Sequence, residues 1–205
     1  MRLAAVTLAS LALGLPAPAD AAPEEGSSQG RTHRGFFVRL DGGAGYASSG
    51  TSVQGTDASV SGASGALGVA MGGAIVENLV VAADLWGDVA FSPKATVAPL
   101  QRPGSAALSL IGFGLHLTYY LMPANVYASL TPSVTGVGIV VGGVATALRS
   151  GFGAKAAIGK EWWVSDHWGL GVAGQFLFSC NQEQGAGAAT WVTLAGGLAA
   201  SATFN

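Results

Sequence analysis

The chain has 205 residues, only 10% of them charged, with a formal net charge of −2 and a mean hydropathy of +0.46. Soluble domains carry about 25% charged residues, so an ordinary soluble domain fits poorly, and no basic patch marks a nucleic-acid binder. The 32 glycines follow no Gly-X-Y period, which excludes collagen.

The chain opens on MRLAAVTLASLALGLPAPADAAP. Arg2 is a short positive region, residues 3–15 an apolar one, and Ala19-Asp20-Ala21 a small-x-small cleavage site. This predicts a signal peptide over 1–21. Residues 22–34 form a short polar segment that holds His33. From residue 35 the chain needs either a core or lipid to cover its apolar surface, and only helices and closed barrels cross a bilayer. Residues 134–148 are apolar or small but hold four glycines, and no later stretch reaches the roughly 20 residues a helical span needs.

Alternation with period two fits instead. In 35–47, Phe36, Val38, Leu40, Ala44 and Tyr46 oppose Phe37, Arg39, Asp41, Gly43 and Gly45. In 59–75 the odd positions are the apolar ones, as they are in 79–91, where Leu79, Val81, Leu85 and Val89 oppose Val80, Asp84, Trp86 and Asp88. In 105–121, Ile111, Phe113, Leu115, Leu117 and Tyr119 oppose Gly112, Gly114, His116, Thr118 and Tyr120. The remaining runs are 126–137, 149–163, 168–179 and 189–204. Each is long enough to cross a bilayer as a tilted strand. Pro132 is the irregular residue, because proline cannot donate to a ladder. The predicted fold is all-β, a single eight-stranded antiparallel transmembrane β-barrel in up-and-down order over 35–205.

The links alternate in length. Residues 76–78, 122–125 and 164–167 are short, whereas about 48–58, 92–104 and 180–188 are longer, the pattern of outer-membrane barrels. Paired residues must share a face, so the short links need three, four and an odd number of residues. The link between the fifth and sixth runs breaks this rule if Gly142-Gly143 makes a tight turn, and predicts a bulge or a longer loop there.

The segment 159–171 holds three of the five tryptophans. Aromatic rings favour the lipid headgroup layer, which assigns Tyr46, Tyr119, Trp162, Trp163, Trp168 and Phe204 as interface anchors, with Lys160 snorkelling beside them. The inward set is Arg39, Asp41, Asp84, Asp88, His116, Lys155, Glu161 and Gln175, with Trp86, Tyr120, Tyr127 and Trp191. Two cations against four carboxylates require that hydroxyls, amides or water serve some of the carboxylates.

The hairpins GKEWW-turn-WGLG and GGAIVENLVVAADLWG and the ending LAGGLAASATF resemble the small eight-stranded outer-membrane β-barrels of Gram-negative bacteria, the OmpA-barrel, OmpX and OmpW type. The resemblance implies periplasmic termini and short turns, long loops outside the cell, and a last strand whose aromatic residue, here Phe204, is read by the barrel-assembly machinery. It also implies contact with outer-membrane lipid and lipopolysaccharide. The expected protein is a monomer with an envelope role and a largely filled lumen, needing no cofactor. A narrow channel or carrier for small apolar molecules is the alternative.

A lipid-modifying acyl hydrolase is the third reading, since some such barrels are enzymes of this kind. It needs a hydroxyl beside a histidine, and His116 with Thr118 is the only pairing in sight. No catalytic set is assigned. His33, His116 and His167 are too scattered for a metal site, and the one cysteine, Cys180, makes no internal disulfide. Leu115→Arg, facing lipid, is expected to cost far more stability than the inward Gly114→Ser, unless packing requires that glycine.

Overall fold

The computed structural model describes residues 31–53, 56–91, 93–97, 100–101, 106–141, 144–145, 149–182 and 189–205. The expected signal peptide and residues 22–30 lie outside them. Eight long strands make the wall: β1 (Phe36–Val53), β2 (Thr56–Val76), β3 (Leu79–Ala90), β6 (Ala106–Leu121), β7 (Val126–Val141), β9 (Arg149–Trp163), β10 (Trp168–Gln182) and β11 (Thr190–Phe204). Three short strands, β4 (Lys94–Val97), β5 (Leu100–Gln101) and β8 (Val144–Ala145), extend the links. Each long strand pairs antiparallel with the next, and β1 pairs with both β2 and β11, so the sheet closes on itself. Closure leaves no open edge within the wall.

Register obeys parity along the wall, with local shifts at two links. Leu121 pairs with Val126 across the expected four-residue link. Between β2 and β3 the turn is tighter than expected. Val76 pairs with Leu79, and a register shift between Ala74 and Val76 restores the faces; Asn78 takes φ 66°, a conformation asparagine tolerates in turns. After β7 both halves of the expected conflict are present. Val141 pairs with Val144 as a tight turn requires, whereas Val137 pairs with Arg149, one residue out of step. The offset returns odd positions to odd positions.

Residues 48–58 differ from the expected loop. β1 runs to Val53 and β2 begins at Thr56, with Val53 paired to Thr56. The hydroxyl-rich sequence SSGTSV still contains β-branched residues that favour a ladder, and Ser49 is hydrogen-bonded to the wall through its 2.8 Å contact with Thr193. At Pro132 the β6–β7 ladder lapses between Gly114–Ser133 and Leu117–Leu130, while the other side of β7 pairs through Pro132–Ala154. The missing N–H costs ladder bonds on one side only.

Leu67, Leu85, Ile111, Phe113, Leu115, Leu170, Val172 and Phe176 all stand exposed on the outer face. A soluble monomer rarely exposes so wide an apolar surface, and a hydrocarbon environment is what such a band suits. Alternate residues fill the interior in layers. Phe37, Val80, Tyr120 and Tyr127 pack near the short-turn end, and Trp86, Leu108, Leu110, Val137, Leu177 and Trp191 pack toward the long-link end.

Candidate functional site

Every inward charged residue named from alternation points into the barrel, and the pleat brings all of them but Asp88 together in two groups. In the first, Arg39 Nη2 donates to Glu161 Oε1 at 2.6 Å and to the Tyr120 hydroxyl at 2.5 Å. Thr203 donates to the same carboxylate at 2.7 Å, and the guanidinium lies 4.2 Å from the Tyr127 ring centroid. Both ionic side chains are at least 96% buried. A pair removed from water this fully persists only because further donors and a ring face surround it.

The second group centres on Asp84, which accepts from Lys155 Nζ at 2.8 Å and from Thr131 Oγ1 at 3.1 Å. Asp41 lies 3.7 Å from the same ammonium. A side chain at Gly68 would collide with the Asp41 carboxylate, so this glycine makes the room Asp41 occupies. Gln175 lines, with Lys155, Asp41 and His116, a cavity of about 20 Å³, space for one water. Asp88 stands apart and accepts from Ser64 at 3.0 Å. The charge imbalance foreseen from composition is thus met by Thr131, Thr203, Tyr120 and Ser64 hydroxyls.

His116 lies between two hydroxyls and a carboxylate. Its Nε2 lies 2.6 Å from Thr118 Oγ1 and its Nδ1 lies 3.3 Å from Asp84 Oδ2 and 2.8 Å from Thr131 Oγ1. Hydroxyl, imidazole and carboxylate follow the order used by nucleophilic triads. Thr118 is buried, however, and the adjoining cavity holds no more than a water. Among the described residues no cluster of metal-ligating side chains is present.

The aromatic anchors divide. Tyr46, Tyr119, Trp162 and Trp168 are exposed on the outer face, and Phe204 meets Trp168 edge-on at 5.4 Å. Lys160 Nζ donates to the carbonyl of Ala124. Trp163 differs from the expected lipid anchor. It follows the odd, inward parity of β9, and its indole lies 5.0 Å from the His33 ring, under the Arg31 guanidinium.

His33 is the residue that sequence reasoning missed. It was one histidine in a polar run, with no periodic neighbour to mark it. In the structure it is completely buried and stacks on Tyr120 at 3.4 Å between centroids. Burial holds its imidazole below the ordinary range, against smaller opposing effects from Asn125, Glu161 and Asn205. Nearby, Arg34 pairs with Glu77 at 2.8 Å in the open, and that hydrogen bond keeps the Glu77 carboxyl below its usual value.

No protein-family model matches the chain, and no curated protein sequence does. Among solved structures, the outer membrane protein OprG from Pseudomonas aeruginosa covers 84% of this chain and 98% of its own, at 14% identity and a TM-score of 0.54. Neisserial surface protein A covers 82% and 96% at 17% identity and a TM-score of 0.43. Ail of Yersinia pestis, solved with the heparin analogue sucrose octasulfate, covers 82% and 99% at 8% identity and a TM-score of 0.40. At such identities the likeness concerns fold, and the OprG match carries it. The closed meander and its apolar outer band, taken with that match, make this chain a single eight-stranded antiparallel transmembrane β-barrel with the fold of the small outer-membrane barrel proteins.

Proposed function

We propose that this chain is a structural protein of the bacterial outer membrane whose lumen is stoppered by its own side chains. The supporting observation is the filled interior: two buried ionic groups and the apolar layer toward the long-link end leave a cavity of about 20 Å³ beside Lys155. An eight-stranded barrel is just wide enough for side chains to fill or for one small ligand, and here buried side chains take that width. The outer band meets membrane lipid and lipopolysaccharide as a monomer, and β11 with Phe204 is the strand offered to the assembly machinery. No catalysis is assigned, since the buried Thr118–His116–Asp84 chain serves as a hydrogen-bonded brace. Planar-bilayer recording tests the reading. No steady conductance steps are expected; steps abolished by blocking the lumen would overturn it. Unchanged acyl chains on lipopolysaccharide after incubation, read by mass analysis, are expected of a non-enzyme.

A second reading, carriage of small apolar molecules, is favoured by one feature. A groove of about 560 Å³ indents the outer wall around Gly87, lined by Leu67, Val69, Leu85, Val89 and Ile111. If it carries solute, Gly87→Leu will abolish uptake of a small hydrocarbon by vesicles containing the protein, while wild type retains it.

A further inference from the structure

The short-turn mouth of the lumen is closed by a segment that precedes the first strand. Residues 31–34 lie across it, held from several sides. The main chain of His33 bonds Asn78 in both directions, through its N–H to Asn78 Oδ1 at 3.1 Å and through its carbonyl from Asn78 N at 3.1 Å. Arg31 reaches Asp166 at 3.3 Å, and Arg34 reaches Glu77. The imidazole is the part that enters the barrel. Its Nδ1 lies 2.6 Å from Asn205 Oδ1 and its Nε2 lies 2.8 Å from Asn125 Oδ1.

A neutral imidazole has one N–H and one bare nitrogen. Two amide oxygens therefore cannot both be its partners, but rotating either amide presents an N–H to the bare nitrogen. The side-chain nitrogens of Asn125 and Asn205 are both buried without a partner, so either rotation also satisfies an orphaned donor. Hydrogen bonding thus accommodates both protonation states, and it is the burial of charge that separates them. The ring stacks on Tyr120 of β6 and lies in the field of Arg39 of β1 and Glu161 of β9; the other ionisable side chains at this mouth are Glu77 of the β2–β3 turn, Tyr127 of β7, Asp166 and His167 of the β9–β10 turn, and Arg31 and Arg34 of the segment itself. Glu161, the carboxylate that acts on the ring electrostatically, is already engaged by Arg39, so it offers an imidazolium no free counter-ion.

We propose that residues 31–34 are an acid-released stopper of the short-turn mouth, seated by the neutral ring of His33 and freed when that ring gains a proton. Seating depends on the ring staying neutral. Because burial lowers its affinity for protons from the ordinary value of 6.5, the seated state binds fewer protons than the released one. By linkage the seated state is at full strength above that value and weakens as the pH falls below it. Release exposes the ring faces of Tyr120 and Trp163 and gives water a path toward the Arg39–Glu161 pair.

A nitroxide label on Thr32→Cys in a Cys180→Ser background, in protein purified from membranes into detergent, reads the motion directly. The label is expected to be immobile at about pH 8 and mobile at about pH 5, with a midpoint below 6.5, while gel mobility reports an intact barrel at both. His167→Gln is expected to leave the transition in place, and His33→Gln to remove it. A His33→Gln label mobile at both pH values also supports the assignment, since the imidazole is then what seats the segment. The proposal fails if the wild-type label stays immobile in acid, if the transition survives in His33→Gln or disappears in His167→Gln, or if the barrel itself unfolds with the release.

Discussion

The two ends of the barrel interior are closed by opposite chemistry. At the long-link end Leu108, Leu110, Val137, Leu177 and Trp86 form an apolar layer, and the buried polar groups among them meet hydroxyl partners, as Asp88 does Ser64 at 3.0 Å and Ser49 does Thr193 at 2.8 Å. At the short-turn end an arginine, a glutamate, two tyrosines and His33 fill the same width with hydrogen-bonded groups. The apolar end gains from burial and tolerates imprecision. The polar end is intolerant, because each group there loses hydration and regains partners only if every neighbour is in place. Geometry supplies the reason for the polar choice. Three turns and the segment before β1 converge at that mouth with backbone groups that need partners, and the side chains of Asn78, Asn125 and Asn205 meet them or the ring they hold.

The largest effect should fall at the polar end. Glu161→Ala strands the Arg39 charge and is expected to cost about 3–5 kcal/mol, whereas Arg39→Met with Glu161→Leu should recover most of it. Unfolding titrations in lipid vesicles measure both, and a cost for the single change no larger than that of the double one would break the contrast. At the apolar end Leu177→Ala should cost about 2–5 kcal/mol with no compensating partner available.

The outer face gives the next comparison. Leu115→Arg places a charge against hydrocarbon at mid-strand and should cost about 2–4 kcal/mol. Gly114→Ser falls under the packing exception. A Cβ there would run into the carbonyl of Pro132 and the hydroxyl of Ser133, so overpacking of about 1–3 kcal/mol is expected. A silent Gly114→Ser in the same titration would mean that β6 and β7 are farther apart at Pro132 than the structure places them.

Much of this was readable from residues alone. Parity in 35–47 sends Arg39 inward, and parity in 149–163 sends Lys155 and Glu161 the same way, because successive side chains of a strand take opposite faces. The pairing of Arg39 with Glu161 was not readable, since those residues are 122 positions apart and alternation says nothing about height in the barrel. Trp163 was assigned to lipid by its residue type, although its own parity places it inward. Gly114 looked like an ordinary small inward residue until β7 approached it.

By itself the sequence determined the fold class, the two faces and the strand order, because period-two alternation and link parity are local properties that survive without contacts. Only the tertiary structure decided which charge meets which, where a glycine is needed, and that His33 is buried against Tyr120. Those outcomes depend on stagger between strands and on segments brought together by closure of the sheet, and neither leaves a periodic mark along the chain.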